Sequence, residues 1–310
     1  MSLQPSRTSI WAASARAVGS RFEGPLRNPD WLADKLMGPE ERAMIAGHPL
    51  ATALENDTPE NRHNPEVQSA AATLVIRTKF IDERLERMVR EGATQVVIMG
   101  AGWDTRAYRF AGILRNVRVF EVDQPATQNS KRRRAEEALG PPPANLTYLP
   151  IDFRVQTLAD VLASAGYDPK QKTLFIWEGV TMYLPAAAVS DTLRWIAQQA
   201  PGSMITFDFA DEALIDLIAR ARQGEPPADD RAKLVMDRLR QIAGWGEPWI
   251  FGVPTNESAR YIQEQGLEHR ETLGMASIEA AKRYLGWTED RPYPAAIRQM
   301  YKIAEAVVPA

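Results

Sequence analysis

The sequence has no cysteine and only three histidines, His48, His63 and His269. The first absence removes disulfides, thiolate catalysis and cysteine-ligated zinc from consideration. The histidines are scattered, with no pair at helical ligand spacing, so no histidine-built metal site is expected. Long apolar runs are missing too: none approaches the ~20 residues of a membrane-spanning helix. Arg7 and Arg16 interrupt the N-terminal stretch MSLQPSRTSIWAASARAVGS, which therefore lacks a signal-peptide core. An excess of one charge is also absent. A formal net charge of −3 gives no general pull toward nucleic acid or an anionic membrane. The expectation is a cytoplasmic protein with neither kind of partner. What remains is ordinary: 310 residues, 45% hydrophobic and 25% charged, enough for one large globular domain or two modest ones.

The first ~65 residues mix short helical patterns with turn signals such as NPDW, HPLA and NDTPENRHNP. EVQSAAATLVIRTKFIDERLERMVREG then reads as an amphipathic helix, with Leu74, Ile81, Leu85 and Met88 near helical spacing and Gly92 as its stop. From there short β-rich runs alternate with helices. QVVIM, RVFEVD, LTYLPID, TLFIWEG and SMITFDFA are the strands. QNSKRRRAEEAL, VQTLADVLASAG and AAAVSDTLRWIAQQA are the helices between them. That alternation predicts an α/β fold with a doubly wound, mostly parallel sheet. Beyond Ala210 a charged helical segment is broken by GEPPADD, NESARYIQEQG reads as a helix, and MYKIAEAVV reads as a last strand. The layout expected is one domain over 1–310. It comprises an N-terminal helical cap (1–90), a cofactor-binding core (91–212), a helical lid insertion (213–250) and C-terminal elements completing the sheet (251–310).

A third glycine is the most telling absence. In QVVIMGAGWDTRAYRF a strand runs into Gly100 and Gly102, a tight turn that allows close backbone approach. A dinucleotide fingerprint asks for another glycine at position 105, where this chain has threonine, preceded by Asp104. A carboxylate at a helix start competes with a pyrophosphate for the same amides and repels it. A phosphate-free ligand with a positive head group has no such conflict. S-adenosylmethionine, a nucleoside joined to an amino acid through a sulfonium, is one. Asp104 is an N-cap on either reading. The second strand, VFEVDQP, places Glu121 and Asp123 at its carboxyl end, about 20 residues past the glycines, where an acid can bind ribose hydroxyls. An ordinary solvent-facing acid at a strand end is the plain alternative.

VVIMGAGWDTRAYRF, VFEVDQP, LPIDFR and IWEGVTMYL, in this order, resemble the leucine carboxyl methyltransferase family, in particular its bacterial S-adenosylmethionine-dependent O-methyltransferases. SRTSIWAASARA, FIDERL and EPWIFGV extend the resemblance over most of the chain. It implies the class I methyltransferase (Rossmann-like) version of the predicted fold, and S-adenosylmethionine as cofactor. By the same resemblance Arg77 pairs with the cofactor carboxylate, Gly100 and Gly102 lie beneath its methionine part, and Asp123, ahead of Glu121, takes the ribose. Asp152 and Phe153 contact the adenine. Glu178 stands near the ammonium and the reaction centre, and Tyr183 beside the acceptor pocket. Trp103 and Trp177 depart from the smaller apolar residues usual in the bacterial branch. The substrate-binding N-terminal segment of the eukaryotic branch, which acts on a protein C-terminus, is not recognisable here. The acceptor is not carried over.

A carboxylate acceptor is ionised near neutral pH and needs no general base. The motifs contain no histidine, so the expected activity is methyl transfer to a carboxylate, or a hydroxyl, of a small molecule. For a hydroxyl, Glu178, Tyr183 or His269 are the candidate bases. KRRR, Lys131–Arg134, reads as a solvated helix face balanced by the following AEE, against an RNA-binding reading. An NAD-dependent oxidoreductase and a non-catalytic cofactor-binding protein are the other readings the fold allows. Oligomeric state is not legible.

Overall fold

The computed structural model describes residues 4–151, 156–226, 233, 247–289 and 301–310. Among them, seven strands form one sheet. They are β1 (Gln95–Met99), β2 (Arg118–Asp123), β3 (Leu146–Pro150), β4 (Thr173–Trp177), β5 (Met204–Ala210), β6 (Glu268–Gly274) and β7 (Tyr301–Val307). Their order across the sheet is β3-β2-β1-β4-β5-β7-β6. The first five are parallel. β7 runs antiparallel between β5 and β6. Every residue of β1, β4 and β5 is buried, as a sheet covered on both faces requires of its central strands. The α/β doubly wound architecture expected from the alternation is therefore present.

The helices used below are α1 (Arg7–Ser20), α2 (Pro65–Arg90), α3 (Pro125–Leu139), α4 (Leu158–Ser164), α5 (Ala186–Ile196), α6 (Glu212–Arg222), α7 (Ser258–Glu264) and α8 (Ile278–Leu285). α2 divides its apolar residues between two cores. Ile81, Leu85 and Met88 pack toward β1 and β4, while Leu74 joins the cluster of the N-terminal helices. α1 supplies that second cluster with Ile10, Ala13, Ala17 and Val18, together with Trp103 from the turn after β1. Trp103, a departure from the family pattern, is thus core that ties the N-terminal helices to the sheet. α1 starts cleanly, because the Ser6 side chain accepts the Ser9 N–H.

Three differences from the sequence reading have simple causes. α3 begins three residues before the predicted stretch, because Pro125 takes the first helical position, where its missing N–H is harmless. β6 is polar, EHRETLG, and half exposed, so it lacks the apolar pattern by which the other strands are read. KRRR is not wholly a solvated face: Lys131 is fully buried against Glu121. Arg132 lies over the Tyr148 ring, and Arg133 pairs with Glu40. Of the expected lid at 213–250, residues 227–232 and 234–246 lie outside the described residues. Among the described residues no helix is long and apolar enough to cross a membrane.

Candidate active site

The strand order turns back between β1 and β4, since the chain goes out from β1 to β2 and β3 before returning to β4. Ligands in open parallel sheets sit at the carboxyl ends of the strands beside such a reversal. Gly100–Gly102 follows β1 there, and Glu178–Val180 follows β4. Gly100 has φ +64° and Gly102 φ +47°, left-handed conformations that suit glycine. A Cβ on Gly100 would lie 2.3 Å from Cγ2 of Val180, and one on Gly102 would lie 3.1 Å from Cβ of Ser9. The turn is thus closed in by the β4 loop on one side and α1 on the other.

Charged side chains converge on this point. Arg77, from α2, is buried. Its Nη1 donates to Oδ2 of Asp208 at 3.0 Å and to the Tyr301 hydroxyl at 3.2 Å. Its Nε lies 2.8 Å from Oε1 of Glu178, an ion contact without an aligned N–H. Oε2 of Glu178 accepts from Nη1 of Arg106 at 2.7 Å, and Nη1 of Arg16 approaches Oε1 to 4.0 Å. Burial alone would raise the Glu178 pKa. The guanidinium groups of Arg77, Arg106 and Arg16 outweigh it and hold the carboxyl well below the usual range. These cations favour the ionised carboxylate of Glu178 and so weaken it as a proton acceptor. Arg106, which the sequence reading missed, also pairs with Asp82 and Asp104. Asp104 accepts the Arg106 N–H at 2.6 Å, but the N-cap of the Arg106–Arg109 turn is Thr105, so Asp104 stands one residue ahead of the capping position expected of it.

At the end of β2, Asp123 accepts the N–H of Gly102 with one oxygen and that of Gln124, at 2.6 Å, with the other. Burial pushes its carboxyl up to about 6, against the pull of those two N–H groups. Glu121 is set apart by Lys131, whose ammonium it binds beneath the sheet end. Burial still lifts Glu121 to about 7 despite that cation. Tyr183 is mostly buried and meets Trp249 edge-on, ring centroids 6.3 Å apart. Burial raises its hydroxyl to about 12, against the lowering effect of its contacts with Thr8 and Trp249. Asp152 and Phe153 lie outside the described residues. His269 belongs elsewhere: it pairs with Ala306 near the end of β7 that faces the start of β5, so it sits at the opposite end of the sheet and is no base for this site.

Two segments cover the glycine turn. The Ser6 N–H donates to Thr127 on α3 at 3.1 Å. Thr8 gives both its N–H, at 3.1 Å, and its hydroxyl to the Glu247 carboxylate. From Glu247 the chain crosses the strand ends, where the N–H groups of Ile250 and Phe251 bond to the Met182 carbonyl. No local pattern in EPWIFGV announces this crossing.

The model of the family described as leucine carboxyl methyltransferase matches residues 9–197, which contain the glycine turn, the β2 acid and Glu178. The chain belongs to that family. The methyltransferase is 33% identical over 280 residues to the Bacillus subtilis protein named "Putative S-adenosyl-L-methionine-dependent methyltransferase YktD", covering 85% of this chain and 86% of that one. Among solved structures it resembles a Thermobifida fusca protein titled "putative methyltransferase", with TM-score 0.51, 16% identity, and coverage of 100% of this chain and 97% of the other. It also resembles a Streptomyces avermitilis protein of the duf574 family, with TM-score 0.53, 14% identity, and coverage of 89% and 97%. At such identities the structural likeness shows the fold, that of class I methyltransferases. The protein is an S-adenosylmethionine-dependent methyltransferase, which sets aside the NAD and non-catalytic readings. The residues present suit that cofactor, because a glycine cradle, a strand-end acid and a buried guanidinium meet at the carboxyl ends of the strands.

Proposed function

We propose that this methyltransferase acts on a carboxylate oxygen of a small-molecule acid. The state of Glu178 carries this reading. The acid assigned to the reaction centre lies against Arg77 and Arg106, which lower its pKa and make it a poor proton acceptor, and His269 is at the far end of the sheet. An acceptor that brings its own negative charge fits such a site. When bound, S-adenosylmethionine would supply an already activated methyl group, which an ionised acceptor oxygen can take without a general base. The protein's part is to position the reactants and exclude water.

In this reading Arg77 receives the cofactor carboxylate through Nη2, which has no hydrogen bond among the described residues. Glu178 faces the ammonium, and Gly100 and Gly102 let the backbone pass beneath the methionine part. Asp123 exchanges its bond to Gly102 for the ribose hydroxyls, Asp152 and Phe153 hold the adenine, and Tyr183 borders the acceptor. α1 and the segment from Glu247 shield the site. The experiment is incubation of methyl-labelled cofactor with a panel of acids. Label released as methanol by mild alkali marks an ester, whereas alkali-stable label marks an ether and removes the carboxylate assignment.

The Asp123 assignment has a pH signature. An ionised carboxylate accepts from both ribose hydroxyls, and a protonated one does not. With the carboxyl at about 6 in the free protein, cofactor affinity rises with pH through that value and levels off above about pH 7. The stability trend has the opposite sign. A carboxyl whose folded pKa exceeds its unfolded one stabilises the fold most below the unfolded value, and this contribution is lost as pH rises through about 6. Calorimetric titration of S-adenosylhomocysteine between about pH 5 and pH 8 should show the rise. Asp123→Asn should bind about tenfold more weakly at neutral pH, with the rise flattened.

A further inference from the structure

We infer that Asp208 and Tyr301 are positioning residues for cofactor binding, setting Arg77 and the Glu178–Gly179 turn to receive the amino-acid end of S-adenosylmethionine. The inference rests on the proposed role of Arg77 and extends it to two residues outside the 9–197 span that the family model matches.

Asp208 lies within β5, where all seven residues are buried, and is itself 0% exposed. A carboxylate in such a place is costly unless its oxygens are fully engaged. They are. Oδ1 accepts the N–H of Gly179 at 2.6 Å. Oδ2 accepts from the Tyr301 hydroxyl at 2.6 Å and from Nη1 of Arg77 at 3.0 Å. The Asp208 carbonyl also accepts the Thr181 hydroxyl at 2.6 Å. One residue thereby fixes the guanidinium and the backbone on both sides of Val180.

Tyr301 closes the arrangement. β7 places it opposite Ala210, at the carboxyl end of β5, on the side of the site. Its oxygen donates to Asp208 and accepts from Nη1 of Arg77, so the three groups form a triangle of hydrogen bonds. With Nη1 held by this triangle and Nε against Glu178, the guanidinium plane has contacts on two of its three nitrogens, and Nη2 is directed by them. Trp249 stacks on the Tyr301 ring at 5.6 Å and 24°, and Tyr183 meets Trp249 edge-on. The segment over the site thus bears on the residue that orients Arg77. Pre-set geometry of this kind lowers what ligand binding must spend on ordering side chains.

The test uses Tyr301→Phe, which keeps the ring and its stack on Trp249 and removes only the hydroxyl. S-adenosylhomocysteine and 5′-methylthioadenosine, which lacks the amino-acid end, are titrated by calorimetry. The expected result is S-adenosylhomocysteine binding about tenfold weaker with 5′-methylthioadenosine unchanged. A purely structural role would weaken both ligands alike, and that outcome, or no change in either, overturns the inference. Arg77→Lys separates the layers. If it leaves S-adenosylhomocysteine binding intact, the role given to Arg77 is wrong and the inference falls with it. If it weakens binding while Tyr301→Phe does not, only the positioning role falls. In the Arg77→Lys background Tyr301→Phe should add little, whereas fully additive losses contradict action through Arg77. Should Tyr301→Phe fail to fold, Asp208→Asn with the same two ligands gives the same discrimination.

Discussion

Arg77→Leu is expected to weaken S-adenosylhomocysteine binding by about a hundredfold and to destabilise the fold as well. Hydrogen bonds to a charged group contribute about 1.5–3 kcal/mol each, and the cofactor carboxylate loses its guanidinium partner. The second effect comes from what is left behind. Arg77 touches two buried carboxylates, those of Glu178 and Asp208. Removing one partner of a buried pair costs about 3–5 kcal/mol. In a chain of this size that corresponds to a melting temperature lower by on the order of 10 °C. Glu178 keeps Arg106, so the loss falls mainly on Asp208. Burial already lifts the Asp208 carboxyl above its usual range, against the pull of Arg77 and Tyr301. Without Arg77 it rises further. A folded-state acid with a raised pKa holds a proton that the unfolded chain has released, so the deficit grows as pH rises above about 4. Melting curves of both proteins across pH check this. A deficit that shrank with rising pH would contradict the account of Asp208.

Gly100→Ala is the second large effect. It places a Cβ 2.3 Å from Cγ2 of Val180 and asks alanine to hold φ +64°. The left-handed backbone costs roughly 1–2 kcal/mol and the overpacking about 1–3 kcal/mol. Relief by movement of the Glu178–Val180 turn would misplace Glu178, so methyl transfer should fall below one per cent of the parent rate, on the order of 3 kcal/mol in the barrier. The two components can be separated. Val180→Ala removes both Cγ atoms, leaving Val180 Cβ 3.4 Å from the new methyl, an ordinary contact. The double variant Gly100→Ala/Val180→Ala should recover the packing share of stability and retain the backbone share. Full additivity of the two single losses in thermal melts would show that the clash is not what the substitution creates.

The parts of this molecule legible in the sequence are those encoded by local pattern. β1, β4 and β5 are apolar runs bounded by turns, and the glycine turn with Asp123 follows from a spacing of about 20 residues in one strand-helix-strand unit. Glu178 stands out as a carboxylate closing an apolar strand. Asp208 carries the same signal in MITFDFA, but its partners come from 131 residues before it and 93 after it, so no local motif frames it. Lys131 looks like one more cation in KRRR until α3 is laid over β2 and its ammonium meets Glu121. Its burial is a property of packing between elements, which composition does not carry. β6 was hidden for a different reason. As an edge strand with polar side chains it lacks the alternation that identifies a half-buried strand, and only its pairing with β7 reveals it.

The position of β7 bears on how the protein is made. This strand is the last of the seven to leave the ribosome, yet its place is inside the sheet, between β5 and β6. Until residues 301–307 emerge, β6 has no neighbour to pair with and β5 presents an open flank. Arg77 and Asp208 meanwhile lack the tyrosine hydroxyl that completes their triangle. The cage around Arg77 is therefore completed only when β7 docks, and nascent chains must be kept from pairing through the unfilled slot.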